Sequence, residues 1–118
     1  MPRQDQWSDD ELTVLMALFI AQPFAAGDDA HPRNARIAEV LGRRPTAIDR
    51  QWRDIKHRLF RLDLTRRVAH SNVGANVKRI VDRYRTDLRR LRSDAEAVMD
   101  DRRWRRLKPM LDGRGPRR

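Results

Sequence analysis

Cysteine is absent from the 118-residue chain, which excludes a disulfide framework and thiolate metal ligation and fits a reducing compartment. No stretch is apolar enough to enter a membrane: the run from Val14 to Ile20 is far short of the roughly 20 residues a span requires. The opening residues MPRQDQWSDDEL lack the basic-then-apolar order of an export signal. A cytoplasmic protein with no membrane partner is therefore expected. There is no glycine-rich phosphate loop, and His31, His57 and His70 are too far apart to suggest a ligand set. Most aspartates alternate with arginines as prospective ion pairs, so no metal, cofactor or catalytic constellation is expected and the chain does not read as an enzyme.

Lysine is also scarce, with 24 arginines against three lysines. Net charge is +10, unevenly spread: residues 1–30 carry one arginine and six acids, a balance of −5, and the other 88 residues carry +15. A guanidinium binds phosphate bidentately and stacks on bases, so double-stranded DNA is the leading partner. With 39% hydrophobic and 37% charged residues, the chain has material for one modest core and little for a deep substrate pocket.

The motif SDDE at Ser8–Glu11 is a capping box that predicts a helix start, followed by an apolar stripe of Leu12, Leu15, Met16, Phe19 and Ile20 that ends at Gln22-Pro23. A short second helix is predicted from Pro32 or Arg33 to Leu41, stopped by Gly42. A third starts near Pro45, with Thr46 and Asp49 as a weaker capping pair. At 100° per residue, Trp52, Ile55, Leu59 and Leu62 fall within about 40° of Ile48, while Thr46, Arg50, Arg53, His57 and Arg61 fall within about 40° of the opposite direction. One face is core and the other basic.

Beyond a connecting piece, Val77, Val81, Tyr84, Leu88, Leu91, Ala95 and Val98 repeat at intervals of four and three, the pattern of a heptad seam. A long helix is predicted that either packs on the preceding helices or forms a homodimer through Val77, Val81, Tyr84, Leu88 and Leu91. Trp104, Leu107, Met110 and Leu111 predict a short closing helix. The expected organisation is a helix-turn-helix head at 5–64, a helical extension at 65–112 for packing or dimerisation, and a disordered basic tail at 113–118.

The residues WSDDELxxL at Trp7–Leu15, a short second helix, and LGRRPTAIxxQW at Leu41–Trp52 together resemble the Myb/SANT class of three-helix DNA-binding domains. In detail they are similar to the bacterial and phage type found alone or preceding HNH nuclease domains. The pattern departs at Arg44, where a capping Thr or Ser is usual, and in the long linker AQPFAAGDDAHP. The resemblance covers about half the chain. It implies an all-α fold with a three-helix head and a third helix that lies in the major groove. Thr46, Arg50, Arg53, His57 and Arg61 then become the groove-facing set. Arg50 and Arg53 are the candidates for guanine edges, and Arg43, Arg44, Lys56 and Arg61 for phosphates. Trp7 and Trp52 are assigned to the core.

The leading expectation is a sequence-selective DNA-binding protein, a transcriptional regulator or nucleoid-type factor. The alternatives are an oligomeric phage packaging or assembly subunit with a DNA-binding head, and a SANT-like protein-interaction module.

Overall fold

The computed structural model describes residues 7–22, 31–60 and 74–114. These are helical throughout: α1 spans Asp9–Ala21, α2 Pro32–Leu41, α3 Pro45–Phe60, α4 Ala75–Tyr84, α5 Leu88–Met99, and a 3-10 helix Arg105–Asp112 closes the order.

The start of α1 is the predicted capping box. Ser8 Oγ accepts from the Glu11 amide at 3.1 Å, and the Ser8 amide donates to Glu11 Oε1 at 3.0 Å. The rest of α1 differs from the expected stripe. All eight residues from Leu12 to Phe19 are buried, while Ile20 is only half-buried. Its sequence LTVLMALF is apolar on every side except Thr13, and a helix that is apolar all round belongs at the centre of a fold. Thr13 satisfies its hydroxyl within the helix by donating to the Asp9 carbonyl at 2.8 Å. Accordingly α3, α4, α5 and the 3-10 helix all pack on α1.

Helix α2 begins at Pro32, and His31 caps it by accepting from the Arg33 amide on Nδ1 at 3.1 Å. It ends at Gly42, whose φ of 73° is the left-handed conformation that glycine adopts without a Cβ penalty. Helix α3 follows after two residues. Arg44 holds the cap position, its carbonyl accepting from Ala47 and Ile48, so Thr46 lies inside the first turn and the expected Thr46–Asp49 capping pair has no place. Asp49 is buried and paired with Arg53. Ile48, Trp52 and Ile55 are buried as predicted, and Leu59 is partly buried. Trp52 meets Phe19 edge-on, with ring centroids 5.9 Å apart. Leu62 lies outside the described residues.

The predicted long helix is two helices. Tyr84 ends α4, and after a turn through Arg85 and Thr86 the Asp87 side chain caps α5 by accepting from the Arg90 amide at 3.1 Å. The segment TDL thus carries its own start signal, and the heptad spacing runs across a corner. The helices are tied by the Tyr84 hydroxyl, which donates to Asp94 at 2.6 Å. Its pKa is raised by burial and by that hydrogen bond to a carboxylate.

This geometry corrects the dimer seam. Val77, Val81, Tyr84 and Leu91 are buried in their own chain, and of the five proposed contacts only Leu88 is exposed, at 43%. The inward set also includes Ile80 and Met99, which the heptad reading passed over, whereas Val98 is partly buried.

The 3-10 helix buries Leu107, Met110 and Leu111 as expected of a closing element. Residues Gly113 and Arg114, assigned to the tail, are held by the fold. Gln22 donates to the Gly113 carbonyl, and the fully buried Arg33 donates to the carbonyls of Met110 and Arg114 at 3.1 and 3.4 Å. The rest of the tail lies outside the described residues. Among those residues no helix is long and apolar enough to cross a membrane.

Candidate nucleic-acid interface

Because Ile48, Trp52 and Ile55 are pulled inward, the opposite side of α3 is turned to solvent. Thr46, Arg50 and Arg53 are exposed there, Lys56 is exposed on the flank of the helix, and Arg44 is exposed just before it. His57 is the departure: it is half-buried, with Nδ1 enclosed. Helix α4 flanks that side of α3, and Arg58 reaches across to Asp82 with a two-pronged ion pair at 3.0 and 2.6 Å. The accessible stripe is therefore rotated from the predicted one and ends on Phe60, which is 58% exposed. Arg61 lies outside the described residues.

Arg43 and Arg44 are neighbours in sequence with opposite fates. Arg43 is directed into the fold, where Nε and Nη2 donate to the two oxygens of Glu11 at 3.0 and 2.9 Å. Its guanidinium lies over the Trp7 ring, 4.1 Å from the centroid. With its side chain only 10% exposed, Arg43 is a strut between α1 and the turn before α3, and its predicted phosphate role is corrected. A charge matched at this distance has little left to offer a phosphate. Arg44 stays in solvent, with no acid partner among the described residues.

The remaining cations divide by region. In 74–114, Arg79, Arg85, Arg90, Arg92, Arg103, Arg106 and Lys108 each stand against a carboxylate. Lys78, Arg83, Arg89, Arg102, Arg105 and Arg114 are the exceptions there, Arg105 donating instead to the Asp100 carbonyl at 3.0 Å. Arg44, Arg50 and Lys56 are exposed and carry no ion pair among the described residues. Arg53 is intermediate: its Nε is 2.9 Å from Asp49 Oδ2, yet its side chain is 62% exposed.

An open groove of about 1170 Å³ lies beside this face, between the α2–α3 turn, the first half of α3 and the start of α4. Arg44, Thr46, Arg50, Asp54 and Asn76 contribute to its walls. Asn76 is fixed by donating to the Trp7 carbonyl at 3.3 Å, so Trp7 links the groove's two sides. Sequence reasoning missed the part played by α4, because nothing in the connecting segment signals which helix it returns to. Among the described residues Asp54 is the one acid on the groove wall. Burial raises its pKa, and the nearby charges of Arg50 and His57 draw it partly back down.

Among the described residues no group of three or more His, Asp or Glu side chains is placed to hold a metal ion. The geometry collects exposed guanidinium and ammonium donors along α3 and the turn before it, the kind of surface that complements a polyanion. The chain matches no family model, and no curated protein or solved structure is significantly similar to it.

Proposed function

We propose that the protein binds double-stranded DNA sequence-selectively, with α3 in the major groove, as a transcriptional regulator or nucleoid-type factor. In this reading α1, α2 and α3 form a Myb/SANT-like head, anchored by the buried Trp7 and Trp52. Arg50 and Arg53, in the first half of α3, are nearest the base edges. Arg44, Lys56 and Thr46 are placed for the flanking phosphates. Arg43 and His57 drop out of the contact set because their side chains are engaged or enclosed within the fold.

The observation that carries the reading is the pairing pattern. Arg44, Arg50 and Lys56 are exposed on α3 and the turn before it with no ion pair among the described residues, Arg50 interacting with Asp54 only at longer range. Unmatched charge is what releases counterions from DNA, and it makes binding steeply salt-dependent. Fluorescence anisotropy with a pool of mixed duplexes tests this. Binding that weakens strongly with salt, and a sequence preference that disappears in Arg50→Ala/Arg53→Ala, are the expected results. A double variant that still discriminates its site from random DNA would refute the assignment to α3.

A second reading, an assembly subunit with a DNA-binding head, draws on the exposure of Phe60 and Leu88, the large apolar side chains left in solvent among the described residues. Light scattering separates the two, since a large fixed oligomer favours the subunit and a monomer removes it. Complete absence of DNA binding at low salt would bring forward a protein-interaction module.

A further inference from the structure

The two arginines nearest the bases are not equivalent. We infer that Asp49 is a positioning residue that holds Arg53 ready to read guanine, leaving Arg50 to contact phosphate. This rests on the DNA-binding reading above and divides its two central residues by role.

The observation is a buried acid beneath an exposed base, one turn apart on α3. The Asp49 side chain is 7% exposed and that of Arg53 62%, with Nε 2.9 Å from Oδ2. A guanidinium is a rigid planar fork. With Nε beside the Asp49 carboxylate, the two Nη groups of Arg53 are left without an ion pair among the described residues. Guanine presents two adjacent acceptors, O6 and N7, in the major groove, and two parallel N–H donors match them.

Two consequences separate Arg53 from Arg50. The first is entropic. A long side chain must lose rotamer freedom when it enters a specific contact, and the pair with Asp49 has already removed much of that freedom in the unbound protein. The second is electrostatic. Phosphate attraction depends on net charge, and the Asp49 carboxylate offsets part of Arg53's. The pair is thus a weaker phosphate ligand that keeps the geometry for a base edge. Arg50 is exposed and makes no ion pair among the described residues, only a longer-range interaction with Asp54, so it is less constrained than Arg53, which suits a phosphate rather than a fixed base.

The test begins with selection of preferred sites from short random duplexes by the full-length wild-type protein. Anisotropy titrations then compare the best site, the same site with its critical guanine replaced by adenine, and random DNA. Asp49→Ala is expected to lower the preference for guanine about 10-fold, within the range for one bidentate base contact, while affinity for random DNA holds or rises. Arg53→Lys, which keeps the charge but loses the fork, should lower the preference equally. Adding Asp49→Ala to Arg53→Lys should then change the preference no further, whereas a merely structural role for Asp49 would lower it in both backgrounds. Arg50→Ala should reduce the slope of log affinity against log salt by about one, and Arg53→Ala should reduce it less. If Asp49→Ala fails to fold by thermal melting, the Arg53→Lys and the two alanine arms still decide.

Retention of the guanine preference in Asp49→Ala or Arg53→Lys would overturn the inference, as would equal losses of salt slope in Arg50→Ala and Arg53→Ala. A wild-type protein that binds no DNA would overturn the underlying functional reading, an outcome distinct from both.

Discussion

The outer face of α3 and the C-terminal region 74–114 are both rich in arginine, and composition alone does not tell them apart. In the C-terminal region just over half of the cations stand against a carboxylate: Arg92 bridges Glu96 and Asp112, Arg79 reaches Asp9 on α1, and Arg106 reaches Glu39 on α2. On α3 and the turn before it, Arg44, Arg50 and Lys56 are exposed without such partners. On the proposed reading, the state of pairing, and not the number of arginines, marks the surface left for a polyanion. Exposed ion pairs contribute little stability, typically below about 1 kcal/mol, so the C-terminal pairs chiefly remove charge from solvent.

That comparison breaks most visibly at Arg43, which sits next to Arg44 but belongs with the paired group. Arg43→Met leaves the partly buried Glu11 unmatched and is expected to cost about 3 kcal/mol, read by chemical denaturation. Affinity of the remaining folded protein for DNA should change little. A stable variant with weakened DNA binding would instead return Arg43 to the interface.

Gly42 sets the turn that presents Arg44 and α3. A Cβ there meets nothing within 4 Å, so Gly42→Ala acts only through the positive φ and should cost about 1 kcal/mol, seen as a lower melting temperature.

Asp54 sharpens the contrast from within the groove. Its pKa is raised by burial, so its protonated form is favoured in the folded protein. The stability tied to this group is fully present below its ordinary carboxylate value and is lost as pH rises through the raised one. On the proposed reading, the carboxylate opposes DNA wherever it is ionised. Asp54→Asn should therefore tighten DNA binding about threefold by removing one repulsive charge. It should also remove the part of the affinity's pH dependence that appears as Asp54 titrates. Anisotropy across a pH series checks both.

The smallest effect is expected at Arg92. Its hydrogen bonds to Asp112 and Glu96 raise its own pKa and lower that of Asp112. Asp112's contribution to stability is present above the ordinary carboxylate value and fades as pH falls through the lowered one. In Arg92→Ala, Asp112 should titrate in the ordinary range by NMR, with DNA affinity unaltered.

Local signals in the sequence translated directly into structure. The capping box at Ser8, the left-handed Gly42, Pro45 at the first turn of α3 and the inward phase of Ile48, Trp52 and Ile55 all depend on residues within a few positions of one another. Tertiary facts were not legible in the same way. Arg43 is a strut because Glu11 and Trp7, more than thirty residues earlier, are folded against it, and no spacing rule separates it from Arg44. The heptad was real as a pattern, but TDL supplied a cap that turns the helix, placing both halves against α1. The central burial of α1 was available in its all-round apolar sequence and was obscured by looking for a single stripe. The Asp49–Arg53 pair has helical spacing that sequence displays, but only the burial of Asp49 reveals which partner is anchored.

The most direct test of the central claim compares two triple variants, Arg44→Ala/Arg50→Ala/Lys56→Ala and Arg90→Ala/Arg106→Ala/Lys108→Ala, each removing three positive charges. Affinity for duplex DNA is measured across a salt series. The first is expected to lower the slope of log affinity against log salt by roughly two to three, while the second leaves the slope near the wild-type value. Equal reductions in both, or a larger one in the second, would contradict the claim that the outer face of α3 is the nucleic-acid surface.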